Sequence, residues 1–290
     1  MIVCQRESNM EMNNADIAQL NKQVKKRIEE YGDKLYHYTS MNAFLSMLNS
    51  RELWLSNTGT MNDRKETVHF IEMMQKELAI FQRIEFFHKI YEQIPLHYKY
   101  AFCLSTEKDD AAQWERYADS AKGVCIAFNV EELCKCLYGY SDFMFNKVFY
   151  DETIINSKYY QIVKNYFETG KIDIYETEEK LVKFLLYAGN LHKHNSFLHE
   201  CEVRITTMDN KKQYGVEYEL KELGNVVKKV LILKPDVMGH AKGTNFENLI
   251  DKVIIGPRSQ QNIKILQEYI YSKGFYRMAN NIIQSECPLR

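Results

Sequence analysis

The residues around position 200 carry the densest chemistry in this sequence. Glu200 and Glu202 flank Cys201, and Arg204 follows two positions later. Read as a strand, positions i and i+2 share a face and stand about 6.7 Å apart. Glu200, Glu202 and Arg204 then line one face, and Cys201, Val203 and Ile205 the other. Two carboxylates beside an arginine can do acid–base work or stabilise a developing cation. The same pattern also suits a solvated face with a surface ion pair. His37 is the next candidate. In LYHYT (35–39) it faces one way with Leu35 and Thr39, while Tyr36 and Tyr38 face the other. A histidine there can hydrogen-bond a ligand hydroxyl or be a satisfied core group. Trp114, Tyr117 and Ala118 share a helix face at i, i+3 and i+4, which serves either a core or an aromatic stacking platform. The loop TMND (60–63) offers Asn62 and Asp63 to a ligand, although Asp63 also suits a helix cap.

A metal site is not expected. His192, His194 and His199 lie near Glu200 and Cys201. Read as a helix end, His192 and His194 point about 200° apart and do not converge as ligands must. The seven cysteines include no C-x-x-C pair, so they read as reduced thiols. G-x-G-x-x-G, the P-loop, G-x-S-x-G and H-E-x-x-H are all absent.

The elements that must position these residues are short and mixed. Strands are predicted at 35–39, 51–57, 100–105, 123–129, 143–151, 200–207, 216–220, 226–233, 252–256 and 281–285 from β-branched and aromatic runs. Helices are predicted at 13–31, after Ser40, from Asp63 to about 94 in two pieces, after Asp109 or Asp110, after Asn129, at 152–168, at 176–195 and at 259–274. No regular β-α-β beat and no internal repeat is present. The expected class is α+β, with a mixed, largely antiparallel sheet flanked by helices. The expected division is a helical segment at 1–32 and one α+β domain at 33–290 with a helical insertion at about 152–195.

Composition narrows the function classes. The chain has 290 residues, 45% of them hydrophobic, which excludes a disordered protein. Lys+Arg 38 against Asp+Glu 39 leaves a net charge of −1, which argues against a dedicated nucleic-acid or polybasic membrane binder. No apolar run reaches the length of a membrane span and no signal peptide is evident, so a soluble, cytoplasmic protein is expected.

In combination, these segments are similar to a bacterial family, the domain-of-unknown-function family numbered 2971. The resemblance rests on LYHYTS (35–40), ELWLSN (52–57), MND (61–63), FCLS (102–105), W-x-x-YA-x-x-x-KGVCIAF (114–128), E-x-E-x-R (200–204), IIGPR (254–258) and the terminal S-x-x-PLR (285–290). It spans about residues 33–290. A further likeness is to ADP-ribosyltransferases, which carry an H-x-T first strand, a serine on the second and a glutamate on a late one. That likeness implies a split sheet, NAD as substrate, and His37, Thr39, Ser105, Glu200 and Glu202 as site residues. Within it, Glu202 stabilises the oxocarbenium-like state and Glu200 activates the acceptor. Arg204 pairs with the pyrophosphate or holds Glu202; Tyr117 or Trp114 stacks on a ring, and Asn62 and Asp63 line the cofactor. The implied role is a toxin or anti-phage defence effector with a protein or nucleic-acid acceptor, with an antitoxin or sensor as partner, or an NAD hydrolase. Two other readings stay open: a non-catalytic nucleotide- or partner-binding module, and a metal-dependent nuclease using Asp63, Glu200, Glu202 and His37.

Overall fold

The computed structural model describes residues 12–60, 66–94, 99–140, 143–171, 177–208, 215–223, 226–238 and 244–289. The first half runs α1 (Asn14–Tyr31), β1 (Lys34–Thr39), α2 (Met41–Ser50), β2 (Leu53–Asn57), α3 (Glu66–Glu77), α4 (Ile84–Gln93), β3 (Lys99–Ser105), α5 (Ala111–Tyr117), β4 (Val124–Asn129), α6 (Val130–Leu137), β5 (Met144–Lys147) and β6 (Phe149–Tyr150). The second half runs α7 (Lys158–Thr169), α8 (Glu178–Ala188), β7 (His192–Lys193), β8 (Glu202–Met208), β9 (Val216–Leu223), β10 (Val226–Leu233), α9 (Pro235–Met238), α10 (Phe246–Leu249), β11 (Ile250–Ile255), α11 (Ile263–Ser272), α12 (Tyr276–Ala279) and β12 (Ile282–Gln284). The fold is α+β with a largely antiparallel sheet, as the mixed pattern implied. Two pairs depart from this: β11–β12 and the small β6–β7 pair are parallel.

Local chemistry sets the helix starts. Asn13, Ser40, Asp110 and Asn129 each accept a backbone N–H with the side chain, supplying the partner that a first turn lacks. Gly32 closes α1 at φ 84°, a conformation a side chain rarely adopts. Between α5 and β4 the chain turns through three left-handed residues, Asp119, Ser120 and Ala121. That turn brings Gly123 against β1. A Cβ on Gly123 would stand 2.2 Å from the Thr39 carbonyl oxygen, and one on Gly256 would stand 2.3 Å from that of Ala121. Those contacts explain why KGVCIAF and IIGPR each carry a glycine at that place.

The sheet runs β12-β11-β4-β1-β3-β2-β10-β9, and β8 leaves this path to pair with β3 and β5. Strand β3 is the junction. One edge pairs with β8 from Lys99 to Ser105. The other edge is shared, by β2 at Tyr100 and Ala101 and by β1 at Ser105.

The register separates two faces. Directly opposed residues point the same way. Phe102, Leu104, Val203, Ile205, Leu35 and Phe128 point into the main core, which α1, α2, α6 and α11 cover. Tyr36, Tyr38, Cys103, Ser105, Glu202 and Arg204 point to the second face. Helix α5 covers part of that face, with Trp114 edge-on to Tyr38 at 5.1 Å between ring centroids. A helical group covers more of it: α3, α4, α7 and α8 share a separate core of Phe70, Phe87, Val163 and Leu185 among others. The expected insertion at 152–195 therefore does not stand alone, because residues 66–94 complete its core. Nor does the N-terminal segment, since Leu20 and Tyr31 of α1 lie in the main core.

Two sequence boundaries shift. The helix expected at 176–195 ends at Ala188. A Cβ on the following Gly189 would stand 2.8 Å from Thr67 Cγ2, so the chain leaves the helix hard against α3 and continues as a tight turn and then β7. The strand expected from 200 begins at Glu202. Glu200 ends a 3-10 turn (Asn195–Glu200), and Cys201 takes φ 45° between them.

Candidate functional site

Buried charge marks the site. Glu200, Glu202, Arg204 and Lys193 lie together on the second face of the sheet, each at most 7% exposed. Arg204 grips Glu202 with two parallel bonds, Nε to Oε1 at 2.7 Å and Nη2 to Oε2 at 3.1 Å, and its Nη1 donates to the Asn190 carbonyl at 2.6 Å. This fork geometry is the strong form of such a pair. Lys193 bridges the two carboxylates, at 2.5 Å from Glu200 Oε2 and 2.8 Å from Glu202 Oε2. The phenol of Tyr117 donates to Glu200 Oε1 at 2.5 Å, and the half-exposed Arg116 stands 3.5 Å from the same atom. The Glu200 backbone is fixed as well: Ser105 Oγ and Gln113 Nε2 both donate to its carbonyl. Two carboxylates thus face two buried basic side chains, with Arg116 at the rim.

Burial alone would push the Glu202 carboxyl up, but the Arg204 guanidinium and the Lys193 ammonium outweigh it and bring it down to about 2. Glu202 is therefore an anion at any physiological pH. The neighbouring hydroxyls move the other way. Burial pushes Tyr150 up to about 12, and burial with the bond to Glu200 raises Tyr117. Both remain hydrogen-bond donors. Desolvation and the Glu202 charge raise the Cys103 thiol, which makes it a poor nucleophile.

Strand β7 was not expected, and it supplies the cluster. Phe149 pairs with His192 and Tyr150 with Lys193. Alternation along these strands sends Tyr150 and Lys193 toward Glu202, and His192 and Asp151 the other way. On that other side His69 Nε2 lies 2.8 Å and His192 Nε2 2.9 Å from Asp151 Oδ1. Two imidazoles and a carboxylate converge there, a donor set that can hold a metal ion. The helix-end reading of 192–194 is thus corrected: His192 and His194 are i, i+2 neighbours on extended backbone, so both turn toward Asp151.

The sequence-predicted residues divide sharply. Glu202, Arg204 and Ser105 meet on adjacent strands, and Glu200 joins them from its turn rather than from the strand. Tyr117 joins from α5. Trp114 lies in the same region but is fully buried and donates Nε1–H to Asp109 Oδ1 at 2.7 Å, so it is a packing group rather than a stacking platform. His37 and Thr39 point to the opposite face from Glu202, because Tyr36, not His37, opposes Ser105. His37 stacks on Phe102 at 4.5 Å, and its Nδ1–H donates to the Cys103 carbonyl at 2.8 Å, between the stretches of β3 that pair with β1 and β2. Burial lowers its pKa, so Nε2 is left as a neutral acceptor. Asn62 and Asp63 lie outside the described residues.

Residues 113–205 match the family described as "Protein of unknown function (DUF2971)". The match covers about a third of the chain. It is shorter than the expected span of 33–290, and it begins at Gln113 and ends at Ile205, so it encloses Tyr117, Tyr150, Asp151, His192, Lys193, Glu200, Glu202 and Arg204. Of the groups on the two clusters, His69 and Ser105 come from outside the matched stretch. No curated protein and no solved structure gives a significant match to the chain.

Lys193, Tyr150, Asp151 and His69 carry no sequence signal of their own. The H-K-H triplet at 192–194 was the one available clue, since alternating polar residues after a glycine fit a strand as well as a helix end. Among the described residues no helix is long and apolar enough to cross a membrane.

Proposed function

We propose that this chain is an NAD-consuming enzyme of the ADP-ribosyl-transfer class, with Glu202 as its essential carboxylate. The observation that carries the reading is a row across three adjacent strands: Tyr36 of β1 opposes Ser105 of β3, which opposes Glu202 of β8. Two residues that the resemblance implies, Ser105 and Glu202, thus share one row, although Ser105 stands on the third strand in the chain, and β3 divides one edge between β1 and β2. Tyr36, not His37, supplies the first-strand side chain on this face.

The chemistry follows from the residues. The C1′–N glycosidic bond of NAD breaks and its electron pair leaves with nicotinamide. Positive charge develops at the ribose, and the permanently ionised Glu202 stabilises it. The acceptor forms the new bond to C1′ and gives its proton to Glu200. The half-buried rings of Tyr36 and Tyr117 border the Tyr38–Trp114 cluster and suit stacking on nicotinamide. Arg116, with its side chain 47% exposed, suits the pyrophosphate. Lys193 holds both carboxylates and must move for Glu202 to reach a ribose hydroxyl. The acceptor is a protein, a nucleic acid or water; as a toxin or defence effector the chain would act on one of the first two.

A second reading, a non-catalytic binding module, is favoured by the completeness of the pairing at Glu202, which a purely structural ion cluster also has. Calorimetry with NAD in chelator, followed by assay of free nicotinamide with cell lysate added, separates them. The enzyme reading expects binding by wild type and by Glu202→Gln, with release by wild type alone. A module binds without releasing nicotinamide, and absence of NAD binding overturns the proposal.

A further inference from the structure

The geometry points to a divalent transition-metal site formed by His69 of α3, Asp151 and His192 of β7, on the reverse side of the β6–β7 pair from the carboxylate cluster. It is independent of the NAD reading. The three ligand atoms lie within 4.8 Å of one another. Both imidazole Nε2 atoms stand 2.8–2.9 Å from the same carboxylate oxygen. At metal–ligand bonds of about 2.1 Å, neighbouring ligands lie about 3.0 Å apart in an octahedron and about 3.4 Å apart in a tetrahedron. The two contacts to Asp151 already stand close to these spacings.

The surroundings are those of a built site. His192 is fully buried, with the rings of Phe149 and Phe70 at 5.2 and 5.5 Å, so its orientation is fixed by packing. The Asn195 N–H donates to Asp151 Oδ2 at 3.3 Å, holding the carboxylate with Oδ1 toward the two histidines. The side chain of His69 is 29% exposed and that of Asp151 13%, so one side is open to water or substrate.

His194 completes the argument by exclusion. Its Nε2 lies 3.8 Å from Asp151 Oδ2, near enough to be taken for a fourth ligand. The Ser196 backbone N–H donates to its Nδ1 at 3.1 Å. Ligation through Nε2 requires the neutral ring to carry its proton on Nδ1, and at His194 that atom faces a backbone N–H, which only donates. The protein set is thus two imidazoles and one carboxylate with open positions, which suits Zn²⁺, Fe²⁺ or Co²⁺ rather than Ca²⁺ or Mg²⁺. Because α3 belongs to the helical group and β7 feeds Lys193 to the carboxylates, a bound ion also ties these two parts of the molecule together.

The test is titration of chelator-stripped protein with Co²⁺, followed by its visible d–d absorption, and with Zn²⁺ by calorimetry and thermal unfolding. One equivalent is expected to bind, with a Tm rise of about 5 °C at a hundredfold excess of Zn²⁺ over Kd. His69→Gln, at a part-exposed position that should tolerate the change, is expected to weaken binding at least about tenfold. His194→Ala and the exposed-site control His88→Gln are expected to leave it within about threefold. Absence of stoichiometric binding, or binding unmoved by His69→Gln, overturns the site. Binding lost in His194→Ala but not in His69→Gln overturns the ligand assignment.

Discussion

Replacing Glu202 with glutamine keeps the shape of the buried cluster and removes one charge. The carboxyl titrates near 2 instead of 4.5, and at about 1.4 kcal/mol per pH unit that displacement is worth about 3 kcal/mol of folding stability. The variant also leaves Arg204, which is fully buried, without its anion, a situation that costs about 3–5 kcal/mol in comparable buried pairs. Both routes give the same magnitude, so Glu202→Gln is expected to lose about 3 kcal/mol at pH 7, read as a lower urea midpoint at unchanged slope. The sign of the pH dependence is fixed. The folded-state pKa is depressed, so the contribution is full above the unfolded value of 4.5 and fades as pH falls toward 2. The gap between wild type and variant should therefore narrow by about 1 kcal/mol at pH 4 and about 2 kcal/mol at pH 3. A gap below about 1 kcal/mol at pH 7 would mean that Glu202 is no better paired than an exposed ion pair, since exposed pairs already reach that value. So would a gap that does not narrow in acid.

Three further perturbations test the placement of the parts. Gly123→Ala drives a Cβ to within 2.2 Å of the Thr39 carbonyl; a destabilisation of about 3 kcal/mol or more is expected in urea unfolding, since backbone lies on both sides. Trp114→Phe removes the bond to Asp109 and should cost about 1–3 kcal/mol of stability without changing NAD affinity by calorimetry. His37→Ala, corrected for folded fraction, should leave nicotinamide release within about threefold, because His37 faces away from Glu202; a large loss would return it to the site.

The sheet and most of its elements were legible in the sequence because their signals are local. Caps at Asn13, Ser40, Asp110 and Asn129 and the alternation in LYHYT and EVRIT need no tertiary partner to be read. The same alternation made Glu202 and Arg204 legible as neighbours, whereas Glu200 joins them from the turn before the strand. Their partners were not legible. Lys193 becomes a bridge because Gly189 meets Thr67 and ends α8, and that contact joins residues more than a hundred positions apart. The separation of His37 from Glu202 depends on which residue of β1 opposes Ser105. A one-residue change in register moves every side chain to the other face, and no spacing within LYHYT reveals it. The metal-type cluster draws His69 from α3 and His192 from β7, far apart in the chain, so neither motif spacing nor composition announces it.

The proposed role of Glu202 in NAD cleavage is read from a time course of free nicotinamide. Purified chain, NAD, chelator and lysate acceptors are incubated beside Glu202→Gln under conditions where both are folded. Release by wild type is expected, with a loss of about a hundredfold or more in the variant, the scale of a removed electrostatic stabiliser. Equal rates from both, or no release from either, would contradict that role.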